Sequence, residues 1–348
     1  MSSTGKASAW RHLAFFTAGF IFDAFVVRRI DDVKVLVQQG VYLALSGVLL
    51  GSLVVLRERA HRWAAPALHF MLGTLLNAYA LFYIKSGSGV TTVLFFAVIS
   101  ALLAVNELPS VRRLGPVVLY GLYSFCLTSY FAYLYPVLFG RIRSWMFVLA
   151  VLTAAVPLAL VTRVHHKRTG DRRQVVRHAL IPAIGVQVLL LVLYAFRLIP
   201  PVPLSLMEIG IYHDVARQAD GSYHVSYDTP PFYRFWSHDD TRFRARTGDR
   251  MFAFFRVFAP RGFRDDIRVA WLYEQPRGGW TSAGDVPIAV TGGRDGGFAG
   301  YSFKQNWRPG DWRVIVASID GREIGRRNFT VRADADPSQP RTMTTETR

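Results

Sequence analysis

The chain has 348 residues, of which 51% are hydrophobic, 14% aromatic and 19% charged, with a mean hydropathy of +0.22; it is too apolar for an ordinary soluble or disordered protein. Its single cysteine, Cys126, excludes an intrachain disulfide and a thiolate metal cluster. The formal charge of +17 divides into +14 on residues 1–202 and +3 on residues 203–348; most of the excess lies in short loops between apolar runs, which argues for anionic lipid and insertion polarity and against nucleic acid as a partner.

Crossing about 30 Å of hydrocarbon as a helix takes about 20 residues. After a cytoplasmic tail, residues 1–12, seven segments meet that need and make up a helical membrane domain over residues 13–202. In order they are Leu13–Val27, Val35–Leu56, Ala64–Ile84, Val90–Asn106, Pro116–Phe139, Trp145–Thr162 and Ala179–Ile199. The first is short, follows Lys6 and Arg11, lacks a small-residue cleavage site and reads as an uncleaved anchor. Pro200, Pro201 and Pro203 close the last. On alternate sides of these seven spans the tail and loops carry 13 and 6 Lys and Arg, so the N-terminus is expected in the cytoplasm and residues 203–348 outside it.

Ionisable groups within a bilayer cost energy and invite a functional reading. Asp23 lies in an aromatic run closed by Arg28 and Arg29, and is read either as a structural ion pair or interfacial hydrogen bond or as a proton site. His69 and Asn77 fall roughly on one face of the third span and suit hydrogen bonds to neighbouring helices. Gly47 and Gly51 form a GxxxG step for close helix packing, within the chain or across a homo-oligomer. Tyr120, Tyr123, Tyr130, Tyr133 and Tyr135 crowd the fifth span, and the last span lacks the lysine a retinal Schiff base needs.

Beyond residue 203 the pattern changes to short apolar runs punctuated by Gly, Pro and Asp. Seven or eight strands are expected, from the candidates Glu208–His213, Tyr223–Tyr227, Arg250–Phe258, Asp266–Glu274, Asp285–Thr291, Phe298–Gln305, Trp312–Ser318 and Glu323–Arg332. Period-two alternation and the hairpin signal Asp320-Gly321 indicate an all-β, Ig-like antiparallel sandwich over 203–333. Residues 334–348, almost without apolar side chains, are expected to be a disordered tail.

In this region Gly292-Gly293 and Gly296-Gly297 bracket Arg294-Asp295, a turn that can offer backbone amides beside a guanidinium. Arg294, Asp295, Gly293 and Gly296, with Lys304, are therefore the candidate ligand-binding residues, for a carboxylate, phosphate or glycan; the alternative is a plain strand-connecting turn. Among Trp236, Trp271, Trp280, Trp307 and Trp312, buried members suit the core and an exposed pair would stack on a sugar ring. His213, His224, His238 and Asp239 match no metal-binding spacing, and no G-x-S-x-G, H-E-x-x-H or Walker loop occurs. The sequence thus implies no cofactor, no metal and no catalytic residues.

The string Gly292-Gly293-Arg294-Asp295-Gly296-Gly297-Phe298, with Tyr301-Ser302-Phe303-Lys304, Pro309-Gly310-Asp311-Trp312-Arg313-Val314, Gly325-Arg326 and Phe329-Thr330-Val331, resembles a bacterial module known only as a domain of unknown function. That module is similar in ending multi-span membrane proteins, whose first span Ala18-Gly19-Phe20-Ile21-Phe22-Asp23 with Arg29-Ile30-Asp31 resembles. The resemblance implies architecture and no activity. The resulting expectation is a multi-pass inner-membrane protein whose periplasmic domain binds a cell-envelope glycan or a periplasmic protein. The alternative is a proton-coupled transporter or membrane enzyme centred on Asp23.

Overall fold

The computed structural model describes residues 31–52, 58–87, 93, 95, 97–101, 115–232, 236, 238–335 and 338–348. They divide into two compact units, one holding the helices and the other Pro200–Arg348 with the short segment Val137–Arg143.

In the helical unit α1 is Val33–Ser52, α2 Glu58–Lys85, α3 Pro116–Phe139 and α4 Ser144–Thr169. Helix α4 ends at Gly170, whose φ of +70° suits a residue without Cβ. The next helix is capped by Asp171, which accepts from the Gln174 amide at 3.0 Å. It runs as α5 (Arg172–Val175), a π-turn (Val176–Leu180) and α6 (Ile181–Ala195).

Among the described residues, five stretches are long and apolar enough to cross a membrane: Val33–Ser52, Ala67–Lys85, Pro116–Phe139, Ser144–Thr169 and Arg172–Ala195. The expected first span lies outside the described residues; of the fourth, residues 97–101 are helical and most of the rest lies outside. Five of the seven expected spans are thus present among the described residues. The last begins at Arg172 rather than Ala179, because a capped basic turn extends it. It stops at Ala195, and Arg197 turns the chain with φ +58° ahead of the prolines.

The side chains of this unit are inverted relative to a water-soluble bundle. Val37, Val41, Leu45 and Val48 on α1, and Val148, Leu152, Val156 and Leu160 on α4, form exposed apolar stripes. Polar groups instead meet inside: Tyr133 donates to Gln39, Ser124 to the Ala183 carbonyl at 2.8 Å, and the Tyr120 hydroxyl lies 2.8 Å from His165 Nδ1. The GxxxG step packs within the chain: a Cβ on Gly47 would meet the Tyr123 hydroxyl and Val161, and one on Gly51 would meet Val164.

The second unit contains eleven strands among its described residues: β1 Ser205–Tyr212, β2 Asp214–Arg217, β3 Tyr223–Asp228, β4 Arg242–Ala245, β5 Met251–Phe258, β6 Arg264–Glu274, β7 Trp280–Thr291, β8 Phe298–Lys304, β9 Gly310–Ser318, β10 Glu323–Ala333 and β11 Met343–Thr347. They form sheets in the orders β1-β5-β8, β4-β10-β9-β6-β7 and β11-β3-β2. Alternate residues of β5 explain the layering. Met251, Ala253, Phe255 and Val257 join Val269 and Trp271 of β6, Trp312 and Val314 of β9 and Phe329 and Val331 of β10 in one core. Phe252 and Phe254 point the other way, into a second core with Tyr212, Val215, Tyr223, Val225 and Tyr227. The unit is a β-sandwich with a third layer.

All eight candidate strands are present, with ends shifted by a few residues. Three features differ from expectation. The sheet is not purely antiparallel, since β4 pairs parallel to β10 through Thr330↔Arg242 to Ala333↔Ala245. The two-sheet sandwich carries the extra layer. The tail 334–348, expected to be disordered, supplies β11, which pairs antiparallel with β3 from Met343↔Asp228 to Thr347↔His224. The Asp320-Gly321 turn joins β9 and β10 as expected, with Gly321 at φ +78°.

Candidate functional site

The Gly-rich loop between β7 and β8 is a built turn rather than an open cradle. Gly292 N donates to Phe263 O at 2.9 Å, Gly293 N to Ala259 O at 3.1 Å and Gly297 N to Arg294 O at 3.0 Å. Three amides on which an anion would rely are therefore engaged internally. A Cβ on Gly292 would stand 2.0 Å from the Pro260 carbonyl oxygen, and Gly293 (φ +94°) and Gly297 (φ +76°) occupy left-handed conformations. Arg294, Asp295 and Gly296 are exposed at the tip. Lys304 lies at the far end of β8, six residues or about 20 Å from Phe298, where its ammonium donates to the Ala283 carbonyl. The structure does not bring Lys304 to the Arg294 turn.

The other predicted residues scatter. Asp23 lies outside the described residues. His69 is half-buried and Asn77 buried on α2. Trp271 and Trp312 are core residues, Trp280 and Trp307 are half-buried, and Trp236 is exposed; Arg313 lies 3.9 Å from the Trp280 ring centroid. No exposed tryptophan pair is found among the described residues. Nor, among them, do three His, Cys, Asp or Glu side chains come together as a metal site.

The exposed aromatic pair is instead formed by residues not singled out from the sequence. Tyr301 and Phe303 are alternate residues of β8, an edge strand of its sheet, and are 38% and 47% exposed. Beneath them Phe252 is buried, its ring centroid 6.1 Å from Tyr301 and 5.7 Å from Phe303. Tyr223, 6.2 Å from Tyr301, marks where the third layer stops covering this face. The Arg250 guanidinium lies 5.3 Å from the Phe303 centroid. The period-two pattern Tyr301-x-Phe303 was visible in the sequence, but which face the third layer leaves open was not.

Two polar clusters close the same unit. His213 Nδ1 lies 2.8 Å from the buried Asp240 carboxylate and its Nε2 3.1 Å from the Arg244 carbonyl oxygen. Burial pushes the Asp240 carboxyl up, against the pull of His213 and of the Asp228 amide. The pair ties the end of β1 to β4. At β11, Glu346 accepts from the Tyr227 hydroxyl at 2.5 Å, lies 3.0 Å from His238 Nδ1 and pairs with Arg348 at 2.8 Å. Arg348 also reaches Glu208 at 3.2 Å. Burial opposes ionisation of Glu346, yet these partners outweigh it and hold its carboxyl below the ordinary value.

Residues 264–331, from β6 to β10, match a family model described as "Protein of unknown function (DUF2914)". No curated protein matches the chain. Among solved structures it is similar to an immunoglobulin-like protein from Pseudomonas aeruginosa at 12% identity and TM-score 0.23, covering 38% of this chain and 98% of that one. A β-glucosidase from Listeria innocua, solved with gluconolactone, matches at 10% identity and TM-score 0.20, over 32% of this chain and 16% of that one. An alkylpurine DNA glycosylase from Pseudomonas fluorescens, bound to DNA with an abasic site analog, matches at 10% identity and TM-score 0.24, over 83% and 76%. At these TM-scores none of the three carries an argument about fold or activity.

Proposed function

We propose that this chain is an integral protein of a bacterial inner membrane whose β unit stands in the periplasm and binds a glycan of the cell envelope through the Tyr301–Phe303 strip. Membrane residence is supported by the outward apolar stripes of α1 and α4, which water would not favour. The sidedness rests on two helices. Ser144–Thr169 and Arg172–Ala195 run consecutively, so when both cross, the bend between them and the β unit lie on opposite sides. That bend and its flanks, residues 163–177, hold six Lys and Arg, against Arg141 and Arg143 before α4. The positive-inside rule then puts the bend in the cytoplasm and the β unit outside.

The observation that carries the binding reading is the exposed pair on β8. Two aromatic rings on one strand face, seated on Phe252 and flanked by the Arg250 guanidinium, offer a flat apolar platform with a hydrogen-bond donor beside it. That combination suits the C–H face and hydroxyls of a pyranose. Cosedimentation of the full chain, in detergent, with purified cell-wall sacculi tests it. Wild type should sediment, and Tyr301→Ala with Phe303→Ala should weaken binding about tenfold, as expected for two ring contacts of roughly 0.5–1.5 kcal/mol each. A double variant that binds like wild type, or a wild type that stays in solution, contradicts the reading.

A further inference from the structure

We infer that one end of the β unit, built from three loops, docks on the headgroups of anionic phospholipid through Arg141, Arg264 and Arg294. The inference does not depend on the glycan reading and uses a different surface. The loops are the α3–α4 turn within the segment Val137–Arg143, the β5–β6 loop and the Gly-rich β7–β8 loop. Backbone hydrogen bonds join them: Arg264 N donates to Gly140 O at 2.8 Å, Gly292 N to Phe263 O at 2.9 Å and Gly293 N to Ala259 O at 3.1 Å. Gly140 approaches so closely that a Cβ would stand 2.3 Å from the Gly262 carbonyl oxygen, and Ile142 is buried in the sandwich core. This end is therefore one rigid surface.

Its charges are unequal. Arg143 is satisfied by a bidentate pair with Asp265, at 2.5 and 3.0 Å. Arg141, Arg264 and Arg294 are exposed, and no hydrogen bond or ion pair engages their side chains among the described residues. With Arg261 they outnumber Asp266 and Asp295, the exposed acids at this end. The partner follows from chain connectivity. Helix α3 ends at Phe139 and α4 begins at Ser144, and both are long and apolar enough to cross a bilayer. The few residues joining them must emerge at the membrane surface, where phosphates lie. Arg264 is hydrogen-bonded to that very turn. Guanidinium groups match phosphate oxygens bidentately, and their attraction to an anionic surface falls off within a Debye length, so only groups held at the surface gain from it.

The test titrates phosphatidylglycerol into phosphatidylcholine nanodiscs holding the full chain, with thermal melting of the β unit and lipid retention as readouts. Wild type should melt higher as phosphatidylglycerol rises. In R141Q/R264Q/R294Q that rise should shrink by more than half, with preference for the anionic lipid falling roughly fivefold per arginine. R172Q/R173Q/R177Q, at the other end of the last helix, should keep the rise. Should the triple variant fold poorly, Arg294→Gln alone, at an exposed loop tip, should lose a measurable part of it. An unchanged rise in the variants overturns the inference. So does an equal rise from inorganic phosphate on the chain in uncharged detergent, which would mark a soluble-anion site instead.

Discussion

At the scale of single residues, the Gly-rich loop separates two roles that sequence alone joins. Gly292 faces the Pro260 carbonyl oxygen at a distance no Cβ tolerates, whereas a Cβ on Gly296 meets nothing within 4 Å. Gly292→Ala should therefore destabilise the β unit by roughly 1–3 kcal/mol or more, the usual cost of overpacking, and Gly296→Ala should stay within about 0.5 kcal/mol. Chemical denaturation of the full chain, followed by the signal of the buried Trp271 and Trp312, reads both. Equal effects would contradict the packing account. The spacing of these glycines made a turn legible; it could not show that the amides are spent on Phe263 and Ala259, since those partners come from another loop. Gly47 and Gly51 show the reverse. Their small-residue step was legible, and only the structure supplies the partners, Tyr123, Val161 and Val164.

Among elements, legibility follows strand length and burial. Long strands such as β6 and β9 alternate apolar and polar side chains because one face meets a core, so their period appears in the sequence. Strands β2, β4 and β11 have four, four and five residues. Too short and polar to show a period, they owe their existence to partners distant in sequence. Strand β11 is held by Glu346, whose carboxyl sits below its ordinary value. A folded-state value below the unfolded one stabilises above the unfolded value and loses that stabilisation as pH falls through the folded one. Below about pH 4, under the ordinary glutamate value, β11 should lose protection in hydrogen exchange corrected for intrinsic rates, while β9 keeps its own. Glu346→Gln should remove most of this pH dependence. Protection at residues 343–347 that is flat across the acid range would contradict the role given to Glu346.

On the scale of the whole molecule, composition announced a membrane protein with a β-rich C-terminal part, and the structure describes five helices fit to span and a β-sandwich. The third layer and the open aromatic strip were not legible, because both depend on where the tail returns to pair with β3. The central claim, that the β unit and the basic bend lie on opposite sides of a membrane, is testable without knowing any ligand. In a Cys126→Ala background, Gly296→Cys in the exposed β7–β8 loop and Lys167→Cys near the exposed bend would each be treated with a membrane-impermeant maleimide in spheroplasts. The account predicts labelling at 296 and protection at 167 until the membrane is permeabilised. Labelling at 167 with protection at 296, or equal labelling of both in sealed spheroplasts, would contradict it.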